Sequence, residues 1–189
     1  MKKLVKTNEE SVFKTPRMEG VKVSYADFQG NHVLTHTIIK SNPSVAIVVR
    51  KNGQIALIQQ FRSTTGQNYI EIPAGVINDG ESEEAAAIRE TREETGLLVK
   101  DAYSLVKGPS LLDPSKSDEN YGVAVAEVYG QRDQCLDEME QIDSEILWMD
   151  EKDVFARLRA QMFKGEPFMD DLFMSGHSMY ALMAYMMSK

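Results

Sequence analysis

The chain has one cysteine, Cys135, in 189 residues. No disulfide can form within it, which leads us to expect a reducing compartment, the cytoplasm. Long apolar runs are also missing. The N-terminal MKKLVKTNEE has the lysines of a signal peptide but no apolar stretch after Leu4 and Val5. The C-terminal SMYALMAYMM is more apolar but shorter than the ~18 residues that a membrane span requires, so no membrane partner is expected. Positive charge is scarce, with 21 Lys and Arg against 29 Asp and Glu, a net charge of −8. Nucleic-acid binding needs clustered cations, so nucleic acid is excluded as the main partner. A small anionic substrate stays open if a bound cation intervenes. Repeats and low-complexity linkers are absent too, and the length suffices for one domain with a proper core.

The segments VKVSYADF and HVLTHTII are rich in β-branched and aromatic residues and flank a QGN turn, which predicts a hairpin in residues 1–43. Pro43 marks a break. SVAIVV and QIALIQQF follow, joined through Asn52-Gly53, a type I′ turn signal. NYIEI reads as a short strand ending at Pro73. EEAAAIRETREET reads as a helix capped by Ser82 and stopped by Gly96. Strands return at LVKDAYSLV, YGVAVAEVY and EILWM. A helix follows from Asp150 to about Phe163, closed by Gly165, and another runs from about Ser178 to Met187. This order predicts an α+β layered domain over residues 44–189 with an antiparallel β appendage over 1–43.

The first helix ends oddly. Glu90, Glu93 and Glu94 crowd its last turn, where the helix dipole and the i,i+4 pair Glu90–Glu94 both disfavour acids. On a helical wheel Glu94 lies ~40° and Glu93 ~60° from Glu90, so the three carboxylates share one face. A hard divalent ion, Mg²⁺ or Mn²⁺, would turn that repulsion into ligation. Arg89, at i,i+4 from Glu93, could orient that carboxylate. On these residues alone, a solvated acidic face with an incidental Arg partner explains the pattern as well.

The surrounding spacing decides between them. Gly75, Glu81, Arg89, Glu90, Glu93, Glu94 and Gly96 occupy all seven fixed positions of G-x5-E-x7-R-E-U-x-E-E-x-G-U, where U is a bulky aliphatic. Leu97 fills the last U, while Thr91 departs from the first. At ~7% usage per residue type, a chance match is on the order of one in a million. The chain therefore resembles the Nudix family. The resemblance implies an α/β/α sandwich with a mixed sheet and hydrolysis of a nucleoside diphosphate linked to another moiety. It also implies two or more Mg²⁺ ions (Mn²⁺ as the alternative) held on the diphosphate.

LIQQFR at 57–62 and EIPAG at 71–75 resemble the ADP-ribose and ADP-sugar pyrophosphatase group. That likeness implies Arg62 on substrate phosphate and Val76 backbone against the substrate. It makes the Ala74 carbonyl, Glu90 and Glu94 metal ligands, with Glu93 assisting. In SLLDPSKS it puts Asp113 near the terminal ribose, although a plain Asp-Pro turn explains that residue equally well. A loop glutamate activates water in this group. Here Glu140 is the expected base, with Glu138, Glu145 and Glu119 as alternatives. The group uses its N-terminal extension to form a homodimer, and Phe13, Tyr25 and Phe28 are candidates for base stacking. His32, His36 and His177 read as structural or solvent-exposed, and Cys135 has no catalytic context. The expected substrate is a nucleotide sugar such as ADP-ribose. Alternatives are GDP-mannose hydrolysis, a nucleoside triphosphate substrate, and a non-catalytic ADP-ribose sensor.

Overall fold

The computed structural model describes residues 3–16, 18–106, 110–131 and 146–189. These form two compact units, Met1–Pro43 with Pro109–Tyr121 and Ser44–Gly108 with Gly122–Lys189.

The first unit is a three-stranded antiparallel sheet in the order β1 (Val5–Lys14), β2 (Met18–Ala26), β3 (His32–Ser41). β2 is the central strand and carries the buried Val21, Val23 and Ala26. β1 is exposed along its whole length, and the sequence reading placed it in a β extension without marking it as a separate strand. Its VKTNEESVFK has too little apolar alternation to signal a strand, and the ladder to β2 supplies what the side chains do not. The β2–β3 turn is closed by Asp27, whose Oδ1 accepts from the backbone N–H groups of Gln29 and Asn31 at 2.9 Å each. Residues 110–121 join this unit through a parallel bridge from Ile39 to Ser117 and a bond from Ser41 N to Asp118 Oδ1 at 3.1 Å.

The second unit holds β4 (Ser44–Lys51), β5 (Gln54–Arg62), β6 (Gln67–Glu71), β7 (Ala74–Val76), β8 (Leu97–Ser104), β9 (Tyr121–Gln131) and β10 (Leu147–Asp150). The sheet order is β10-β5-β4-β9-β8, with β6 on β5 and β7 on β4. The β4–β5 turn has φ of 52° at Asn52 and 79° at Gly53, as the hairpin signal requires. Helices α1 (Glu83–Thr95), α2 (Glu151–Lys164) and α3 (Gly176–Met187) cover the sheet.

The run SVAIVV is buried along its whole length because β4 is covered on both faces. Its Val45, Ile47 and Val49 share one core with Ala86 and Ala87 of α1. Its Ala46 and Val48 join the other core, with Val154 and Leu158 of α2 and Leu182 of α3. Alternation along one strand thus produces an α/β/α sandwich with helices on opposite faces. No helix among the described residues is long and apolar enough to cross a membrane.

Candidate active site

The α1 helix is fixed at both ends. Ser82 accepts from Ala85 N at 3.2 Å, an N-cap contributing about 1 kcal/mol. Gly96, at φ 66°, ends the helix by donating its N–H to Arg92 O. Glu83 and Glu84 in the first turn suit the dipole and also tie the helix to β8. Glu83 accepts from Ser104 Oγ, and Glu84 accepts from Ser104 N at 3.2 Å. Alanines at 86 and 87 let the helix approach the sheet closely.

The acid-bearing end of α1 lies against β7. Glu94 is 7% exposed, and its Oε2 accepts from Ala74 N at 3.1 Å. A β-carbon built on Gly75 would overlap the Glu90 carboxyl carbon and both its oxygens, so the glycine is the cradle into which that carboxylate fits. Arg89 holds the set together. It donates to both oxygens of Glu81 at 3.0 and 2.8 Å, to Glu90 at 2.6 Å, to Glu93 at 3.1 Å and to the Val76 carbonyl at 2.8 Å. Glu81 also accepts from Asn78 N at 3.0 Å. The Arg89 bonds, opposed by burial, hold the Glu81 carboxyl at about 2. The guanidinium is shifted the opposite way and stays charged.

Among the described residues, no three Asp, Glu, His or Cys side chains converge closely enough to hold an ion unaided. The set implied by the sequence does not need that. Mg²⁺ usually takes one or two carboxylates, keeps several waters and binds substrate phosphate for the rest. Glu90 in its glycine cradle, Glu94 and the adjoining Ala74 backbone are hard oxygen donors at the meeting of β7 and α1, and they fit such an ion.

A second polar group lies at the β5–β6 hairpin. Arg62 donates from Nε to Glu71 Oε1 at 2.9 Å and from its terminal amine to Oε2. Glu71 is 1% exposed, and His177 Nε2, in the first turn of α3, lies 3.4 Å from its Oε2. Burial raises the Glu71 carboxyl, but bonds to His177 and Arg62 outweigh it and the net shift is downward. The sequence reading quoted EIPAG without giving Glu71 a role. The available signal was an acid lying between Ile70 and Ile72, both in the core.

Asp113 closes its own turn, with Oδ1 accepting from Ser115 N at 3.2 Å and Oδ2 pairing with Lys116 at 3.1 Å. Glu119 N donates to Ser117 Oγ at 3.0 Å in the same segment. His36 Nε2 lies 2.9 Å from Ser115 O, and His32 Nε2 lies 3.0 Å from Thr35 Oγ1. Phe28 is exposed, Tyr25 half-buried, and Phe13 packs over Gly20. Glu138, Glu140, Glu145 and Cys135 lie outside the described residues.

Known proteins share sequence and fold with this chain. An ADP-ribose pyrophosphatase of Bacillus subtilis (strain 168) is 35% identical over 91 residues, 48% of this chain and 48% of that protein. A mouse (Mus musculus) ADP-sugar pyrophosphatase is 57% identical over 42 residues, 22% of this chain and 19% of that protein. The chain spans about half, or less, of the length of the first curated relatives it matches. A crystal structure of an ADP compounds hydrolase superposes with a TM-score of 0.74 at 20% identity, covering 100% of this chain and 95% of that one, a likeness of fold. A family model for the NUDIX domain matches residues 40–172, well over half of the chain. With the model covering most of the chain, and Glu81, Glu90 and Glu93 gathered on Arg89, the chain belongs to the Nudix family.

Proposed function

We propose that this protein is a Mg²⁺-dependent pyrophosphohydrolase that cleaves the diphosphate of ADP-ribose or a related nucleoside diphosphate sugar. The products are a nucleoside monophosphate and a sugar phosphate. The observation that carries the proposal is the seating of Glu90 against Gly75, with Glu94 held on the Ala74 backbone beside it. The names of the Bacillus and mouse relatives support an ADP-sugar as substrate.

In this reading Glu90, Glu94 and the Ala74 carbonyl hold two or more ions, with Glu93 assisting. When bound, these ions neutralise phosphate charge and lower the pKa of the attacking water. Arg89 keeps Glu90 and Glu93 in place. Arg62 grips a phosphoryl oxygen with its guanidinium fork, and the Val76 backbone and Asp113 contact the substrate. Glu140 is the proposed base, and Glu138, Glu145 and Glu119 are tested beside it. Residues 1–43 are the proposed dimerising extension to a Nudix domain at 44–189, and the homodimer works in the cytoplasm.

The test is hydrolysis by the purified protein with Mg²⁺ of ADP-ribose, ADP-glucose, GDP-mannose, UDP-glucose, NADH and nucleoside triphosphates, with products identified by mass. Release of AMP and ribose phosphate from ADP-ribose is the expected result. Preference for GDP-mannose would move the specificity and keep the chemistry. Tight ADP-ribose binding without turnover of any compound would overturn the enzyme reading in favour of a sensor.

A further inference from the structure

We infer that Glu71 and His177 are positioning residues for Arg62, presetting the guanidinium that grips the substrate diphosphate; the inference rests on the function proposed above. Arg62 stands at the end of β5, and Glu71 stands on β6, paired with Ile58 rather than with Arg62 itself. The arginine side chain therefore runs back along the hairpin to reach the acid. Both bonds it makes there come from one edge of the guanidinium, Nε and a terminal amine, in fork-to-fork geometry. The two ends of the pair differ sharply in exposure. Glu71 is 1% exposed, while the Arg62 side chain is 40% exposed. The buried end holds and the exposed end is presented.

Packing does not account for an acid at position 71. The residues on either side, Ile70 and Ile72, are core, and a buried carboxylate is unfavourable unless it is paired and hydrogen-bonded. Pairing with a half-exposed arginine is a weak reason to bury a charge, whereas fixing that arginine is a functional one. An unrestrained arginine would have to be ordered at each binding event, and Glu71 orders it in advance.

His177 completes the set from the opposite element. Its Nε2 is 3.4 Å from Glu71 Oε2, and its Nδ1 is 3.3 Å from Ser175 Oγ at the start of α3. Glu71 is thereby held between the hairpin and the helix, which restricts rotation of its carboxylate plane and hence of the guanidinium that follows it. The net downward shift of the Glu71 carboxyl agrees with a carboxylate that stays ionised beside Arg62 and His177.

The test is a double-mutant cycle in the full chain, read as KM and kcat for ADP-ribose with Mg²⁺. Glu71→Gln is expected to raise KM about tenfold and leave kcat within about threefold, and to add nothing in an Arg62→Ala background. His177→Leu is expected to raise KM about threefold, and His177→Gln, which restores a polar side chain beside the carboxylate, to return it to within about twofold of the wild type. A purely structural Glu71 would lower the thermal midpoint and the active fraction equally in both backgrounds while leaving KM unchanged, and that result overturns the inference. If Glu71→Gln does not fold, the same cycle is run with Glu71→Asp, where additivity with Arg62→Ala overturns it equally. If the wild type does not turn over ADP-ribose, the proposed activity fails, and the cycle is read on the Kd for ADP-ribose by calorimetry. Additivity there overturns the positioning role, and a complete lack of binding overturns both readings.

Discussion

Gly75 and the Glu90 carboxylate occupy space that a single β-carbon would fill. Gly75 sits in the middle of the short strand β7, and Glu90 lies on the face of α1 turned toward it. The glycine is thus required by close approach of a side chain and not by an unusual backbone angle, since Gly75 is absent from the positive-φ residues. Arg89 and Glu94 then secure the helix to the same strand, through Val76 O and Ala74 N respectively. Three consecutive backbone positions of β7 therefore meet three residues of the helix.

From that contact, Gly75→Ala should displace Glu90 and leave the sheet intact. We expect kcat/KM for the preferred substrate to fall about 100-fold, equivalent to ~2.7 kcal/mol of transition-state stabilisation, and the Mg²⁺ concentration for half-maximal rate to rise. A Mg²⁺ titration of the rate checks this. Unchanged metal dependence would show that Glu90 does not need its cradle.

Glu94→Gln separates charge from shape. The glutamine carbonyl can still accept the Ala74 N–H, so the tie between α1 and β7 survives while the anionic ligand is lost. Activity should fall at least about 100-fold with the thermal midpoint within a few degrees of the wild type. Near-normal turnover would mean that the metal is held elsewhere.

Gly75 and Glu94 stood out in the sequence because they fill fixed positions of the family's box, and the limits of α1 were legible because Ser82 and Gly96 are local signals. The hairpin at Asn52-Gly53 was readable for the same reason. The bounds of β1 within the β extension were not, since an exposed polar strand leaves no period of two to detect. Glu71 was hidden differently. Its partner Arg62 is nine residues away across a turn, and His177 comes from the last helix, so only the folded chain brings them together. The resemblance named Arg62 but was silent on what holds it.

Thr91 is the one departure from the box, and its cost is visible. The residue is fully buried on α1, and its Oγ1 has no hydrogen-bond partner, while its carbonyl accepts from Thr95 Oγ1. Thr91→Val removes the unsatisfied hydroxyl and keeps the β-branched shape. It should stabilise the protein by about 1 kcal/mol, or raise the thermal midpoint by about 2–4 °C, without changing kcat/KM. Calorimetric melting checks this, and a destabilised Thr91→Val would show that the hydroxyl is satisfied in solution.

The Glu81–Arg89 pair predicts an acid-sensitive contribution to stability. Glu81 is lowered from 4.5 to about 2 in the folded protein. Below its folded pKa it is protonated in both states and contributes nothing, whereas above its unfolded pKa it is ionised in both and contributes fully. The contribution is therefore present above about pH 4.5 and is lost as the pH falls toward 2. Arg89 stays charged throughout this range, so the change belongs to the acid. Melting wild type and Glu81→Gln in chelator, from pH 6 to pH 2, should give a gap in thermal midpoint that is constant above about pH 4.5 and closes toward pH 2. A gap independent of pH would assign the role of Glu81 to packing around Arg89 rather than to its charge.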